Sequence, residues 1–271
     1  MLPDEIMLNI CRYLCGGDVR YAFFNLNTRL NKTITDYYHL LYLMPHVYRK
    51  FDYVICHILP EISMSARSLM LNGNWETIMS SRALSVLFAI SISFTFPQLQ
   101  KLTFKWFTNE RLWLLVDTLQ NLSQLIELNI RFLKDEAQDT LLTKVFTANN
   151  GQLTSISFDQ DSIYLSIPEE NKMVSYSNIK ELKINLTRRQ MLFRFFTGVP
   201  NVHCLRVHLA EISESPITKQ ELTDLPLLAH LIDFKLHSIN LFWIFDELVD
   251  ILHRIPILQK LTLDLRTYDK R

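Results

Sequence analysis

The sequence predicts an α/β protein in which a small trihelical N-terminal segment is followed by an irregular solenoid of parallel strands and helices. Three observations lead there. From about residue 97 a short apolar pattern recurs at intervals of 23 to 29 residues, with a weaker copy around residue 69. Amphipathic helical runs fill several of the intervals. The first forty or so residues lack the pattern and read as three short helices instead.

The recurring copies are "LQKLTFKW", "LIELNIRF", "LTSISFDQ", "IKELKINL", "VHCLRVHL", "LIDFKLHS" and "LQKLTLDL", preceded by the weaker "ARSLMLNG". Their anchor residues are Leu69, Leu102, Leu128, Ile156, Leu182, Leu205, Phe234 and Leu261. Self-similarity at this period marks a repeat architecture. Inside each copy the alternation (Leu102 and Phe104 in, Thr103 and Lys105 out) is that of a short strand with one buried face. Residues 108–122 form an amphipathic helix capped by Thr108 or Asn109. Residues 187–200 form another, stopped by Gly198 and Pro200, and residues 241–256 a third that ends before Pro256. Strand, helix and strand joined by right-handed crossovers stack into a curved solenoid.

The pattern over residues 64–271 resembles the leucine-rich repeat family, LxxLxLxxN/C. The resemblance implies strands on a concave face and helices on a convex one. The Asn/Cys position holds Asn74, Phe107, Leu133, Asp161, Thr187, Ala210, Ile239 and Arg266. A ladder of buried asparagines at that position is therefore absent, and the turns must satisfy their backbone by other means. Residues 159–178 are polar, contain Pro168 and show no helical stripe, which predicts an exposed loop.

At the other end, "LPDEIMLNICRYL" places Pro3 in a first helical turn with Asp4 and Glu5 at the positive end of the helix dipole. Ile6, Ile10 and Leu14 share a face. Asp18 can cap a second helix, and Val19, Phe23, Leu26, Leu30 and Ile34 supply further apolar positions. Leu2, Pro3, Glu5, Ile6, Ile10, Leu14, Asp18 and Val19 fall in order on the pattern of an F-box, which residues 1–41 resemble; Asn27 and Leu30 stand where many members carry Cys and Trp. The resemblance implies docking onto a Skp-family adaptor through Leu2, Pro3, Ile6, Ile10, Leu14, Val19, Phe23 and Leu26, and through it onto a cullin–RING ligase core. Physics points the same way: three short helices bury too little surface to stand alone. The alternative is that they cap the repeat array. Residues 42–63, with a helix-like run between Pro45 and Pro60, read as a rigid joint.

Composition narrows the function classes. Lys plus Arg and Asp plus Glu are both 28, so no general pull toward nucleic acid or anionic membrane is expected. Cys11, Cys15, Cys56 and Cys204 sit among apolar neighbours and read as free thiols of a cytoplasmic or nuclear protein. No secretory leader is recognised, and the longest uncharged apolar stretch, residues 83–96, is too short to span a bilayer. The sequons at Asn31, Asn121 and Asn185 then read as chance matches.

No nucleophile, zinc or phosphate-loop motif is found, so no catalytic residue, cofactor or metal is predicted. His208 and His237 fall on matching outward positions one repeat apart, but without a carboxylate or thiol beside them they read as a solvated pair. One outward row of strand residues is Met70, Thr103, Asn129, Ser157, Lys183, Arg206, Lys235 and Thr262; the second is Asn72, Lys105, Arg131, Asp159, Asn185, His208, His237 and Asp264. Lys105, Arg131, Lys183, Arg206 and Lys235 outnumber the two aspartates in these rows and are the candidate substrate-binding residues for an acidic or phosphorylated segment. The expected function is that of a substrate-recognition subunit of a Skp–cullin–F-box ubiquitin ligase with a protein substrate. The alternatives are a non-degradative scaffold and a solenoid inhibitor.

Overall fold

Parallel pairing of successive strands organises the chain. A computed structural model describes residues 3–11, 13, 19, 22–23, 26–37, 40–43, 57, 59, 63–73, 92–133, 141–165, 174–210 and 225–267. The run expected between Pro45 and Pro60 lies outside these residues apart from His57 and Leu59. The chain divides into two units, Met1–Leu128 and Asn129–Arg271.

In the first unit, helices α1 (Asp4–Cys11) and α2 (Thr28–Tyr37) precede strand β1 (Leu40–Leu43). Residues Val19, Ala22 and Phe23, between the two helices, are also helical. Strand β1 pairs in parallel with β2 (Ser68–Asn72), so the chain on either side of residue 41 already belongs to the repeat ladder, which the sequence pattern did not indicate. β2 in turn pairs with β3 (Lys101–Lys105), aligning Leu69 with Leu102 and Leu71 with Phe104. The short helix α3 (Ile92–Thr95) precedes β3, and α4 (Asn109–Thr118) follows it. Thr108 caps α4 in an extended conformation without a side-chain hydrogen bond. Gly73 is required where β2 ends: a Cβ there would sit 2.7 Å from the Trp106 carbonyl oxygen. Trp106 itself adopts a φ of 62°, which turns the chain out of the strand.

The second unit takes in the end of strand β4 (Glu127–Arg131), then helix α5 (Leu141–Thr147), β5 (Ser155–Phe158), β6 (Glu181–Leu186), α6 (Arg189–Gly198), β7 (Cys204–Leu209), β8 (Asp233–Trp243), α7 (Phe245–His253) and β9 (Lys260–Thr267). Strands β5 to β9 pair in chain order and in parallel. Their inward residues, including Ile156, Leu182, Ile184, Leu205, Val207, Phe234 and Leu236, are buried. Aromatic edges lock the interior: Phe146 meets Phe195 at 5.8 Å and Phe196 meets Phe234 at 6.2 Å between ring centroids. The unit is thus α/β with parallel strands, as the period of the pattern predicts.

Each repeat is stitched to the next at the strand entrance. The Thr154 carbonyl accepts from the backbone N–H groups of Lys180 and Glu181, the Lys180 carbonyl from His203 and Cys204, and the His203 carbonyl from Ile232 and Asp233. Two asparagines add side-chain staples: Asn178 Nδ2 donates to the Gly151 carbonyl at 2.7 Å, and Asn201 Nδ2 to the Ser177 carbonyl at 3.0 Å.

Two expectations are corrected. Residues 241–243 belong to strand β8, not to a helix; Trp243 is fully buried, and the helix starts only after Ile244, which is extended at φ −80° and ψ 134°. Trp243 suits a pleated, packed strand, and the acidic pair Asp246 and Glu247 then fills the first helical turn. The stretch after Phe158 is a loop, with Gln160, Asp161 and Tyr164 exposed, but it is not exposed throughout. Ser162 and Leu165 are buried, and Leu165 bridges Leu186, because the side chains of Asp159, Ser162 and Asn185 anchor the turn. Residues 166–173 lie outside the described ones; Val174 and Ser175 are exposed.

Candidate functional site

Two surfaces hold the residues singled out from the sequence. The first is built on α1. Its start is organised by the Pro3 carbonyl, which accepts from the backbone N–H groups of Ile6 and Met7. On one side Cys11 packs with Val19 and Ile34 in a small core, joined by Phe23 and Leu30. Asn27 has a structural role: its Oδ1 accepts the Leu30 N–H at 2.8 Å and caps α2. On the other side Ile6 and Ile10 are each 45% exposed, and Leu26 is 63% exposed. Of the eight candidate adaptor contacts, Pro3, Ile6, Ile10 and Leu26 therefore face solvent, while Val19 and Phe23 point into the small core. Leu2 and Leu14 lie outside the described residues.

The second surface is the polar side of the strands. The first-unit candidate, Lys105, stands opposite Asn72. In the second unit the register aligns Ser157, Lys183, Arg206, Lys235 and Thr262 across five strands. Two residues further along each strand it aligns Asn185, His208, His237 and Asp264. Both rows run as the alternation predicts. Not every member is solvated, however: Thr103, Asn129 and Asn185 are buried. Asn185 Nδ2 donates to the carbonyls of Asp159 and Ser162 at 2.7 and 2.9 Å, so its amide is committed inside the turn.

Charge is concentrated in the first of these rows, with Arg131 of the second row acting on it. Among the described residues Arg131, Lys183 and Lys235 make no ion pair, while Arg206 reaches Asp233 at 3.7 Å. Burial lowers the Lys183 pKa below its ordinary value; Asp159 opposes this, and Arg206, Arg131 and Lys235 reinforce it. Asp159 is turned inward, its Oδ1 accepting from the Phe132 N–H at 3.0 Å and from the Ser162 hydroxyl.

The histidine row is less simple than the sequence implies. His208 and His237 lie 5.0 Å apart between ring centroids, and His237 Nδ1 lies 2.7 Å from Asp264 Oδ2, so a carboxylate does stand beside the pair. Burial, then His237, Lys183 and Lys235, push His208 down to about 4, with Asp264 opposing. His208 is thus a neutral imidazole at pH 7. Among the described residues no group of three His, Cys, Asp or Glu is placed to hold a metal ion.

A third row was missed in the sequence. It lies one position before the anchors and carries Glu181, Cys204, Asp233 and Lys260. Lys260 approaches Asp233 at 3.9 Å, and Cys204 Sγ lies 3.7 Å from the same carboxylate. Burial raises the Cys204 pKa, so its thiol stays protonated. The signal was present, since this position alternates with the core as regularly as the others. Among the described residues no helix is long and apolar enough to cross a membrane. Compared with known proteins, the chain matches no family model, and no curated protein matches it.

Proposed function

We propose that the chain is the substrate-recognition subunit of a Skp–cullin–F-box ubiquitin ligase, acting by binding and not by catalysis, in the cytoplasm or nucleus. The observation that carries this reading is the two-faced helix α1: one face is spent on the small core with Val19 and Ile34, and the other leaves Ile6 and Ile10 exposed. Isolated apolar residues on a surface are ordinary. Here they fall at the positions through which the F-box resemblance expects a Skp-family adaptor to be held. The repeat strands then offer their polar side to a protein target, and the adaptor links that target to the cullin–RING core.

Co-purification of the full chain with a Skp-family adaptor tests this. Wild type should form a stable complex, and the Ile6→Asp, Ile10→Asp double variant should not, while its melting temperature falls only slightly because nearly half of each side chain is already in solvent. Each lost anchor should cost ~2 kcal/mol of binding. Absence of a wild-type complex would overturn the ligase role and leave a scaffold whose N-terminal helices serve as a cap.

A further inference from the structure

We infer that the outer edge of β9 pairs with β9 of a second copy of this chain, antiparallel and centred on Thr262. This goes beyond the adaptor-binding reading and does not depend on it.

Among the described residues β9 has a strand on one side only, β8, and the register with it is regular from Lys260 to Leu265. The Lys260 backbone N–H donates to the Ile232 carbonyl, so the backbone groups of Lys260, Thr262 and Asp264 turn toward β8. In an extended strand those of Leu261, Leu263 and Leu265 turn the other way, to the open side. The strand entrances repeat the point. In successive coils the carbonyl two residues before the anchor accepts from the next coil: Lys180 from His203 and Cys204, His203 from Ile232 and Asp233, and Ile232 from Gln259 and Lys260. Gln259 holds that position on β9, where no described strand follows. Folded chains blunt such edges with proline, bulges or inward-pointing charge. Residues 260–265 of β9 carry none of these, and the inward Leu261 and Leu263 stay partly exposed.

Charge complementarity selects the occupant. The stretch "KLTLD" (260–264) reads cation, apolar, polar, apolar, anion, so reversed it is its own complement. Laid antiparallel on a second copy about Thr262, Lys260 faces Asp264, Leu261 faces Leu263, and Thr262 faces its counterpart. The backbone agrees with this register. The leucine pairs fall at hydrogen-bonded positions, because their N–H and C=O groups point to the open side. The charged pairs fall at non-hydrogen-bonded positions, where opposing side chains lie closest. Other registers lose the match: centring on Leu261 or Leu263 sets one of the two charges opposite Thr262, and centring on Asp264 sets that carboxylate against itself. Within one copy Lys260 lies 3.9 Å from Asp233, and Asp264 lies 2.7 Å from His237. Both side chains are more than half exposed and have room for a second partner. The same edge serves both copies, so the pair closes on itself. It also brings the polar strand sides of the two copies onto one continuous face.

Light scattering of the purified full chain tests this. Wild type should show twice the monomer mass and fall to the monomer on dilution. Lys260→Asp and Asp264→Lys each set like charges opposite one another, and each should weaken the dimer at least about tenfold. An equimolar mixture of the two variants should recover it, because every charged contact then joins an anion to a cation again. Thr262→Cys should form a disulfide between copies under mild oxidation, since the two Cα atoms of that central pair lie about 4.5 Å apart. Thr262→Ser, which keeps the native cysteines, should not. A wild type that stays monomeric, a dimer insensitive to both charge substitutions, or a mixture that associates no better than its components would each overturn the inference. Should a charge variant fail to fold by circular dichroism, the Thr262→Cys variant decides alone, and the absence of its crosslink overturns the pairing.

Discussion

Strands β7 and β9 carry the same alternation, "LRVHL" and "LTLDL", yet their inward residues end in different environments. Leu205 and Val207 of β7 are fully buried, whereas Leu261 and Leu263 of β9 are 40% and 38% exposed. β7 has β6 on one side and β8 on the other; among the described residues β9 has only β8. The comparison teaches that a repeat does not bury its own apolar residues. The following repeat does, which is the nearest-neighbour logic of solenoids. The largest effect should appear where that logic is strongest. Phe234→Ala removes a fully buried ring packed on Phe196 and should cost about 3–5 kcal/mol in urea denaturation. Leu263→Ala should cost less than about 1 kcal/mol, because its side chain is partly hydrated already. Equal costs would break the comparison.

Polar groups should divide in the same way. Arg189 and Glu247 form an ion pair at 3.2 Å with both side chains buried, and the Arg189 guanidinium lies 5.4 Å from the Trp243 ring centroid. Glu247→Ala would leave a buried cation without its carboxylate and should cost about 3 kcal/mol. Lys101 and Glu127 are closer, at 2.6 Å, but only partly buried and within reach of solvent, so Glu127→Ala should cost less than about 1 kcal/mol. Below these comes a hydrogen-bonded pair of examples. Asn185→Ala strips one buried and one part-buried carbonyl of their donor and should cost about 2 kcal/mol. Asn201→Ala removes a staple that water replaces, at about 0.5 kcal/mol. Thermal melts of the four variants rank them directly.

How far the sequence reaches follows from the same particulars. The repeat anchors and the two outward rows were legible because alternation in a strand is a local property, and the register then had to align equivalent positions. Helices 109–118 and 189–198 were legible from their amphipathic stripes and stops. What was not legible depends on neighbours. Asn185 looks outward by alternation but is drawn inside by the carbonyls of Asp159 and Ser162, 26 and 23 residues away. Residues 241–243 have apolar spacing compatible with either helix or strand, and pairing with β9 decides for strand. On α1 the split between Cys11 inside and Ile6 and Ile10 outside needs the partner helix, whose position periodicity does not reveal. Asp264 beside His237 is visible only once two repeats are aligned.

A last effect sharpens the comparison at the level of protons. His208 is half-buried on β7, facing His237 and Lys235 of β8, Lys183 of β6 and, from β9, the opposing carboxylate of Asp264. Its pKa lies at about 4, against an ordinary value of 6.5. Between those two values the unfolded chain binds a proton that the folded chain does not, so stability must rise with pH across that window. The contribution is fully present above pH 6.5 and is lost as pH falls toward 4. Half-exposure discounts it to the order of 1 kcal/mol. Denaturation midpoints at pH 5.0 and 7.5 should therefore separate more in wild type than in His208→Gln, whose uncharged amide has no proton to gain. An identical separation in both proteins would mean that the interior position of β7 imposes no desolvation on this ring. The difference between interior and last strands would then concern apolar residues alone.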